Sequence, residues 1–566
     1  MFSLLDDPWI LVDDSDGSQK LVGIRQLFSG EVKATAVRGD SPAQDYAITR
    51  LLLAIFWRAH APESIPQPGK TFKFPDWWSR TRRQLQSRGK DKAVLSYLDT
   101  YADRFELFHD SAPFMQVAGL RVASGEFKHV TMIMPEAQED FFSMRAGKAR
   151  DSLSFAEAAR WLVYCQAFDY SGIKSGAVGD ARAKGGKGYP IGTGWSGMTG
   201  GTLVIGDNLL DTLVLNTPLA SLSNPNDKPV WEREPDGPGE RSTVGEATVP
   251  QGPADLATWQ SRRIRLRVEQ DRVTGVVLSN GDKIPDAGAN QLDDPMTPYR
   301  FSANKSKKDK DVYYPRPYDV TRTMWRALDS LVVAETDQDF SEKEKAPKRP
   351  QTLTSLAQLS AEVEGIPKVL NLELVSVAYG PQASSIATTY SSTMSMPLIV
   401  LVQESAALRS TVRSAGQQTM QAAVALGQFG GNLDVAAGGE YEFDGTSTDK
   451  VLAGLEPRFN AWLSSLAGIE PSNGADMSAR IEDFHATWQK TVREVIDAYA
   501  KIMLRGAGPK AFAGRLMFRD ETDTQGRFVS AASYLQLLQR KLDSVLPATA
   551  RNARNAQTQT HKEESQ

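Results

Sequence analysis

Beyond about Val400 the chain repeats one pattern four times, and this repetition constrains its fold more than any other feature. Leu408, Val412, Ala415 and Ala423 head an Ala-rich segment, and Leu452, Leu455, Phe459, Trp462 and Leu466 form the next stripe. Met477, Ile481, Phe484, Trp488, Val492, Val495, Tyr499 and Met503 make a third, and Leu535, Leu538, Leu542 and Val545 a fourth. Apolar residues at three- and four-residue steps share one face of an α-helix. Successive helices of this kind bury their stripes most simply against one another, so residues 400–546 are expected to form a four-helix bundle. Pro457 falls within the second stripe and should start or kink that helix, because it has no amide hydrogen to donate. Residues 547–566 are polar and aperiodic, which predicts a disordered tail.

Residues 1–399 mix short strand signals, helices and Gly/Pro-rich connections, and read as one large mixed α/β domain. The chain as a whole is therefore expected to be α+β. Ile48, Leu51, Leu52, Ile55 and Phe56 follow the start signal Ser41-Pro42 and predict a buried helix. Arg263, Arg265 and Arg267 alternate with apolar residues, and a second run, Val273 to Leu278, leads into Asn280-Gly281, a strong hairpin signal. A small meander with one basic face follows, serving either a solvated surface or nucleic acid. Residues 227–253, 335–350 and 430–448 read as mobile connections.

Composition narrows the chemistry. Hydrophobic residues make up 41% and charged residues 24%, enough to build a core and unlike a disordered chain. Cys165 is the sole cysteine, which excludes a disulfide framework and a cysteine-cluster zinc site and favours a reducing compartment. His60, His109, His129, His485 and His561 lie far apart, so no metal site, cofactor or catalytic centre is expected. Residues 1–12 carry acids where a secretory signal needs a basic and then an apolar stretch, and the apolar run Leu51 to Trp57 is far short of the ~20 residues that span a bilayer. A soluble cytoplasmic protein without membrane contact is expected. The 65 Lys and Arg stand against 69 Asp and Glu, so any polyanion site must be local.

Gly192-Thr193-Gly194-Trp195-Ser196-Gly197 fits the dinucleotide fingerprint, but the residues after it, Gly200 to Ile205, read as a strand where a helix is required. Gly69-Lys70-Thr71 ends like a phosphate-binding loop, with Ser64 where its first glycine belongs, and Gly186-Lys187 lacks the hydroxyl that would follow. In residues 172–201, Lys174, Arg182, Lys184 and Lys187 are interleaved with glycines and one acid, Asp180, a composition that lets backbone and positive charge approach a phosphate. Arg300, Lys305, Lys307, Lys308 and Lys310 form a second basic cluster. Gly380-Pro381 follows a strand-like run and predicts a tight turn with Gln382 at its tip.

Residues 2–10 (FSLLDDPWI), 112–116 (APFMQ), 208–216 (NLLDTLVLN), 294–300 (DPMTPYR) and the Gln382 turn resemble, in the same order, the CasA family, the large subunit of the type I-E CRISPR surveillance complex, Cascade. The resemblance runs to about Pro547. It implies a mixed N-terminal domain and a C-terminal four-helix bundle. It also implies a non-enzymatic subunit that works with crRNA and the other Cascade subunits. Such a subunit reads the short motif flanking a double-stranded DNA target, the PAM, helps open the duplex for R-loop formation, and recruits the separate helicase-nuclease.

Residue by residue, the family's duplex wedge falls on Gln382 and its minor-groove neighbour on Ala383. Pro381 stands where some members carry a groove-contacting asparagine, which removes a hydrogen-bond donor. The glycine loop over the PAM falls on Gly185, Gly186, Lys187 and Gly188, and the groove lysine on Lys283. The loop that meets the guide RNA's 5′ end and neighbouring subunits lies within residues 141–152, with Arg145, Lys148 and Arg150 as phosphate donors. Two readings from other classes compete with this one: a nucleotide-dependent enzyme using Gly192 to Gly197, and a purely structural subunit.

Overall fold

The computed structural model describes residues 1–64, 71–135, 145–243, 246–319, 323–337, 340, 344–469, 475–518 and 526–550. The chain divides into two compact units, residues 1–321 with 333–394 and residues 322–332 with 395–566.

The first unit is built around the helix Pro42–Ser64, in which Ile48, Leu51, Leu52, Ile55 and Phe56 are fully buried, as their spacing predicts. Burial runs round the whole helix because Phe155–Phe168, Lys92–Thr100 and Pro253–Ala257 pack against different sides of it. Three three-stranded antiparallel sheets complete the frame: one orders Gln19–Val22, Ile10–Asp14 and Ala34–Arg38, a second Arg262–Glu269, Arg272–Asn280 and Lys128–His129, and the third Ile386–Pro397, Val369–Tyr379 and Gly201–Ile205.

The meander forms, but its turn lies elsewhere. Glu269 pairs with Arg272, so the tight turn is Gln270–Asp271, with φ of 50° and 58°. Positive φ at both central residues matches the twist of the flanking strands. Asn280 pairs instead with Arg262 at the open end, and a Cβ on Gly281 would sit 2.1 Å from the Gln260 carbonyl oxygen. The glycine there serves close backbone approach. The expected basic face is also corrected, since Arg263 is buried on Asp282 (2.6 Å) and on carbonyls of residues 237, 239 and 260, while Arg265 and Arg267 lie over the Phe127 ring. Groups distant in sequence have drawn Arg263 inward and hold Arg265 on the Leu120 carbonyl, whereas Arg267 keeps 42% of its side chain exposed beside Glu269.

Nor are the three expected mobile connections free of structure. Asp227 is buried and accepts the amides of Ala254 (2.9 Å) and Asp255 (2.8 Å), capping the helix Pro253–Ala257. Lys348 and Tyr299 exchange backbone hydrogen bonds of 2.8 and 2.9 Å. Gly430 and Gly431 lie inside the helix Ala406–Ala437, where a Cβ on Gly431 would meet the Glu442 carbonyl oxygen at 2.3 Å.

In the second unit, helices Ala406–Ala437, Gly445–Ser465, Ala475–Gly506 and Ala531–Val545 form the expected bundle, the first of them touching each of the others. The core joins Phe459 to Trp488 at 5.1 Å and Trp462 to Trp488 at 5.6 Å between ring centres. The helix Thr323–Val332 adds Trp325, 4.9 Å from Phe459, so a segment preceding the bundle in sequence belongs to its core. The third stripe is buried at Trp488 and Val492 and then moves by one residue, to Ile496 and Ala500 in place of Val495 and Tyr499, which like Met477 and Met503 are half-exposed. Pro457 does not start its helix, which runs from Gly445 to Ser465 through it. Pro547 to Ala550 continue as a helical turn tied by Ala548 N–H to Gln489 (2.8 Å), and residues 551–566 lie outside the described residues.

His60 is buried between Glu63 (2.7 Å) and Asp91 (2.9 Å). Burial alone would lower its pKa from 6.5, but the two carboxylates outweigh it and raise it to about 9. Because the folded value lies above the unfolded one, the stabilisation is complete below the ordinary value and is lost as pH rises through the folded value. The melting temperature of the first unit is expected to fall between pH 6.5 and about 9, and thermal scans of His60→Gln should show that dependence flattened.

Candidate nucleic-acid interface

The Gln382 turn closes the hairpin between Val369–Tyr379 and Ile386–Pro397. Gly380 N–H donates to the Ser385 carbonyl at 3.0 Å and Ala383 N–H to the Gly380 carbonyl at 2.9 Å. Gln382 and Ala383 take φ of 55° and 51°, a left-handed conformation that side chains other than glycine seldom adopt. Gln382 is exposed and Ala383 half-buried, so the tip presents one long polar side chain beside a small one.

Gly185 to Gly188 form a second tip. Lys174–Ser175 pairs with Lys187–Gly188, and Lys184 and Lys187 exchange backbone hydrogen bonds of 2.9 and 3.1 Å. Gly185 and Gly186 between them have φ of 57° and 69° and open space where a Cβ would stand. Glycine suits such a two-residue turn and leaves its backbone accessible. Lys184 and Lys187 are exposed, whereas Lys174 is buried on Asp169 (2.7 Å) and Arg182 pairs with Asp180 (3.0 Å) and Glu240 (3.2 Å).

Lys283 lies close to this second tip. Its backbone N–H donates to Glu240 at 3.0 Å, and Glu240 also holds Arg182. Asn280 donates to the Tyr189 carbonyl at 2.6 Å, and a Cβ on Gly188 would stand 2.9 Å from the Asn280 amide nitrogen. Asp282 is locked between Arg263 (2.6 Å) and Arg241 (2.5 Å); burial favours its neutral form, but the two guanidiniums prevail and hold its pKa below the usual carboxylate value. The Lys283 side chain is exposed on this rigid base.

The loop at residues 141–152, expected to meet the guide RNA, is only partly within the described residues. Residues 141–144 and the Lys148 side chain lie outside them. Arg145 is braced on Asp40 (3.0 Å) and Glu157 (2.9 Å), where Glu157 also closes the cap of the helix Phe155–Phe168, so its expected role as a phosphate donor competes with two carboxylates. Arg150 lies half-buried in the short helix Lys148–Asp151. In the second basic cluster, Lys307 and Lys310 exchange backbone hydrogen bonds around Lys308 and Asp309, leaving exposed lysines at a third tip.

The dinucleotide-like glycines serve packing. A Cβ on Gly194 would meet the Ala167 carbonyl oxygen at 2.3 Å, and one on Gly197 the Tyr379 hydroxyl at 2.0 Å. Gly192 is open, but Gly194 and Gly197 are closed by these contacts, and Gly201–Ile205 follows as a strand. Gly69 and Lys70 of the other phosphate-loop remnant lie outside the described residues. Among the described residues no cluster of His, Cys, Asp and Glu could hold a metal, and no helix is long and apolar enough to cross a membrane.

Apart from the Gln382 turn, the segments that carry the family resemblance are structural. Trp9 donates to the Leu4 carbonyl (2.8 Å), Gln116 bridges Leu107 and Leu266, Asn216 satisfies both backbone groups of Val204, and Asp294 is buried on Arg50 (2.8 Å).

Residues 3–498 match the family described as CRISPR-associated protein Cse1. The solved Cse1 of Thermobifida fusca is 33% identical, with 97% of this chain and 98% of that one covered and a TM-score of 0.81. A curated CasA/Cse1 of Thermus thermophilus is 29% identical over 277 residues, which span 48% of this chain and 50% of that protein. The match thus covers about half the length of this curated relative. A chain solved in a CRISPR RNA-guided surveillance complex is 19% identical with a TM-score of 0.61, covering 89% of this chain and 99% of that one, and shares the fold.

Proposed function

The chain belongs to the CRISPR-associated Cse1 family, and from that membership we propose that it is the large, non-catalytic subunit of a crRNA-guided surveillance complex. In this reading it recognises the PAM of double-stranded DNA through the minor groove, helps open the duplex, and recruits a helicase-nuclease through its helical bundle. Other Cascade subunits and the guide hold most of the nucleic acid, which accommodates the acidic net charge of −4.

The observation that carries the reading is the Gln382 turn, where two non-glycine residues are held at positive φ at a hairpin tip. Gln270–Asp271 show the same positive φ at an ordinary hairpin turn, so what sets this tip apart is the exposed glutamine beside the small Ala383. A wedge accounts for that pairing. Inserted into a minor groove, Gln382 would part a base step for a few kcal/mol, which protein contacts and RNA–DNA pairing then offset. The open backbone at Gly185 and Gly186, with Lys187 and Lys283 exposed near it, suits a groove whose base edges are degenerate, so several flanking sequences should be tolerated.

Lys187→Ala and Lys283→Ala in the assembled complex are expected each to weaken target binding and to lower the salt slope by about 0.9 per lost phosphate contact. A lysine on a base edge would instead give a PAM-dependent loss with little change of slope. Titrations at several salt concentrations with two flanking sequences distinguish the two. Binding equal to the parent throughout would favour a purely structural subunit.

A further inference from the structure

We infer that Asp169, Arg262, Lys174 and Tyr379 form a positioning hub that couples the glycine tip to the Gln382 tip, so that occupation of one by DNA sets the placement of the other. This rests on the function proposed above, adds Asp169, Arg262 and Tyr379, and gives Lys174 of the basic cluster a structural part in place of a solvent-facing one.

The hub is the chain at the C-terminal end of the helix Phe155–Phe168. Asp169 is buried and its N–H closes the helix on the Cys165 carbonyl at 3.0 Å. One oxygen of its carboxylate meets two cations, Lys174 at 2.7 Å and the Arg262 guanidinium. Lys174 begins the strand that pairs with Lys187–Gly188, and its ammonium also lies 3.7 Å from the centre of the Tyr170 ring. That ion pair therefore fixes the root of the glycine tip. Arg262 spreads its remaining donors over the carbonyls of Ser261 (2.8 Å), Tyr170 (2.8 Å) and Gly192 (2.9 Å).

The second tip is rooted one residue earlier. The Tyr379 hydroxyl donates to the Phe168 carbonyl at 2.7 Å, three positions before Gln382 along the strand. Gly197 makes room for that hydroxyl, and Gly194 both packs on Ala167 and donates its N–H to the Asp169 carbonyl at 3.1 Å. Residues 167–170 thus receive both roots within four residues. A shift of the glycine tip on a phosphate backbone must move Lys174 against Asp169, and the carbonyl beside Asp169 is the one that holds Tyr379. Groups that share a partner in this way give non-additive mutational effects.

The test is a double-mutant cycle in the assembled complex with two readouts, discrimination between a permitted and a scrambled PAM during association, and permanganate reactivity of thymines beside the PAM. Lys174→Met keeps an apolar stem over Tyr170, and Tyr379→Phe removes a single oxygen. Each is expected to lower both readouts about tenfold, and the double variant to lower each by about tenfold in total rather than about a hundredfold, with Lys174→Arg restoring both. Tyr379→Phe alone decides the matter if Lys174→Met does not fold, because only coupling lets a residue under the wedge alter PAM discrimination. Effects confined to one readout per variant, or multiplying in the double, would overturn the hub. Gln382→Ala and Lys187→Ala, run alongside, separate the failures: if both behave as the parent, the PAM-reading function itself falls, and if they act while the cycle is additive, only the coupling does.

Discussion

Gln382→Ala is expected to leave the first unit folded and to slow target opening about tenfold or more while changing initial association little. The residue is exposed at a turn whose closing hydrogen bonds run between backbone groups of residues 380, 383 and 385, so truncation removes nothing from the core. Relief of the positive φ is also slight, because alanine is no better suited to it than glutamine. What is lost is the body of the wedge. A tenfold change corresponds to ~1.4 kcal/mol, well within the few kcal/mol that parting one base step requires. Permanganate footprinting of the complex on a matched target measures it, and opening equal to the parent would remove the wedge assignment. Gln382→Gly separates side chain from backbone, since it relaxes the strain yet should open no better than the alanine variant.

Asp294→Ala is expected to destabilise the first unit by about 3–5 kcal/mol, lowering its melting temperature by roughly 5 °C. Asp294 accepts from Arg50 at 2.8 Å, from the Trp195 indole at 2.5 Å and from the Met296 amide at 3.1 Å, with both members of the ion pair almost wholly buried. Removing the carboxylate leaves a guanidinium in the interior without its counter-charge. Replacing both partners, as in Arg50→Met with Asp294→Leu, should recover much of the loss, because the penalty comes from the orphaned charge more than from the absent attraction. Differential scanning calorimetry of the single and double variants tests this. A single variant as stable as the parent would mean that Arg50 reaches another partner.

The two predictions mark what the sequence made legible. Stripes at three- and four-residue spacing declared the bundle because helix burial is a local periodicity, and the Gly380-Pro381 turn was readable for the same reason. Trp325 could not be assigned to that bundle, since its contacts with Phe459 and Trp488 come from a separate part of the chain. Asn280-Gly281 misled because the same dipeptide serves a type I′ turn and a close backbone approach, and only the Gln260 carbonyl at the position of a Cβ decides between them. Arg263 looked like a surface residue for as long as Asp282 and the carbonyls of 237 and 239 were unplaced. At the site, Gly185 to Gly188 and Gln382 were found from composition and resemblance, whereas Asp169, Arg262 and Tyr379 have no local signature. Partners of Asp169 and Tyr379 lie 93 and 211 residues away. Apart from the Gln382 turn, even the segments that gave the family away, such as the one around Asp294, hold the fold together.

The claim on which the account depends is that this subunit gives the complex its dependence on sequence beside the target. The most direct measurement compares complexes reconstituted with and without it, on matched duplexes that differ only in a permitted or scrambled PAM, by equilibrium binding at one fixed salt concentration. The account predicts that the full complex prefers the permitted PAM by at least tenfold and that the preference disappears when the subunit is left out. Equal preference in both complexes would contradict it, and would place PAM reading elsewhere in the assembly.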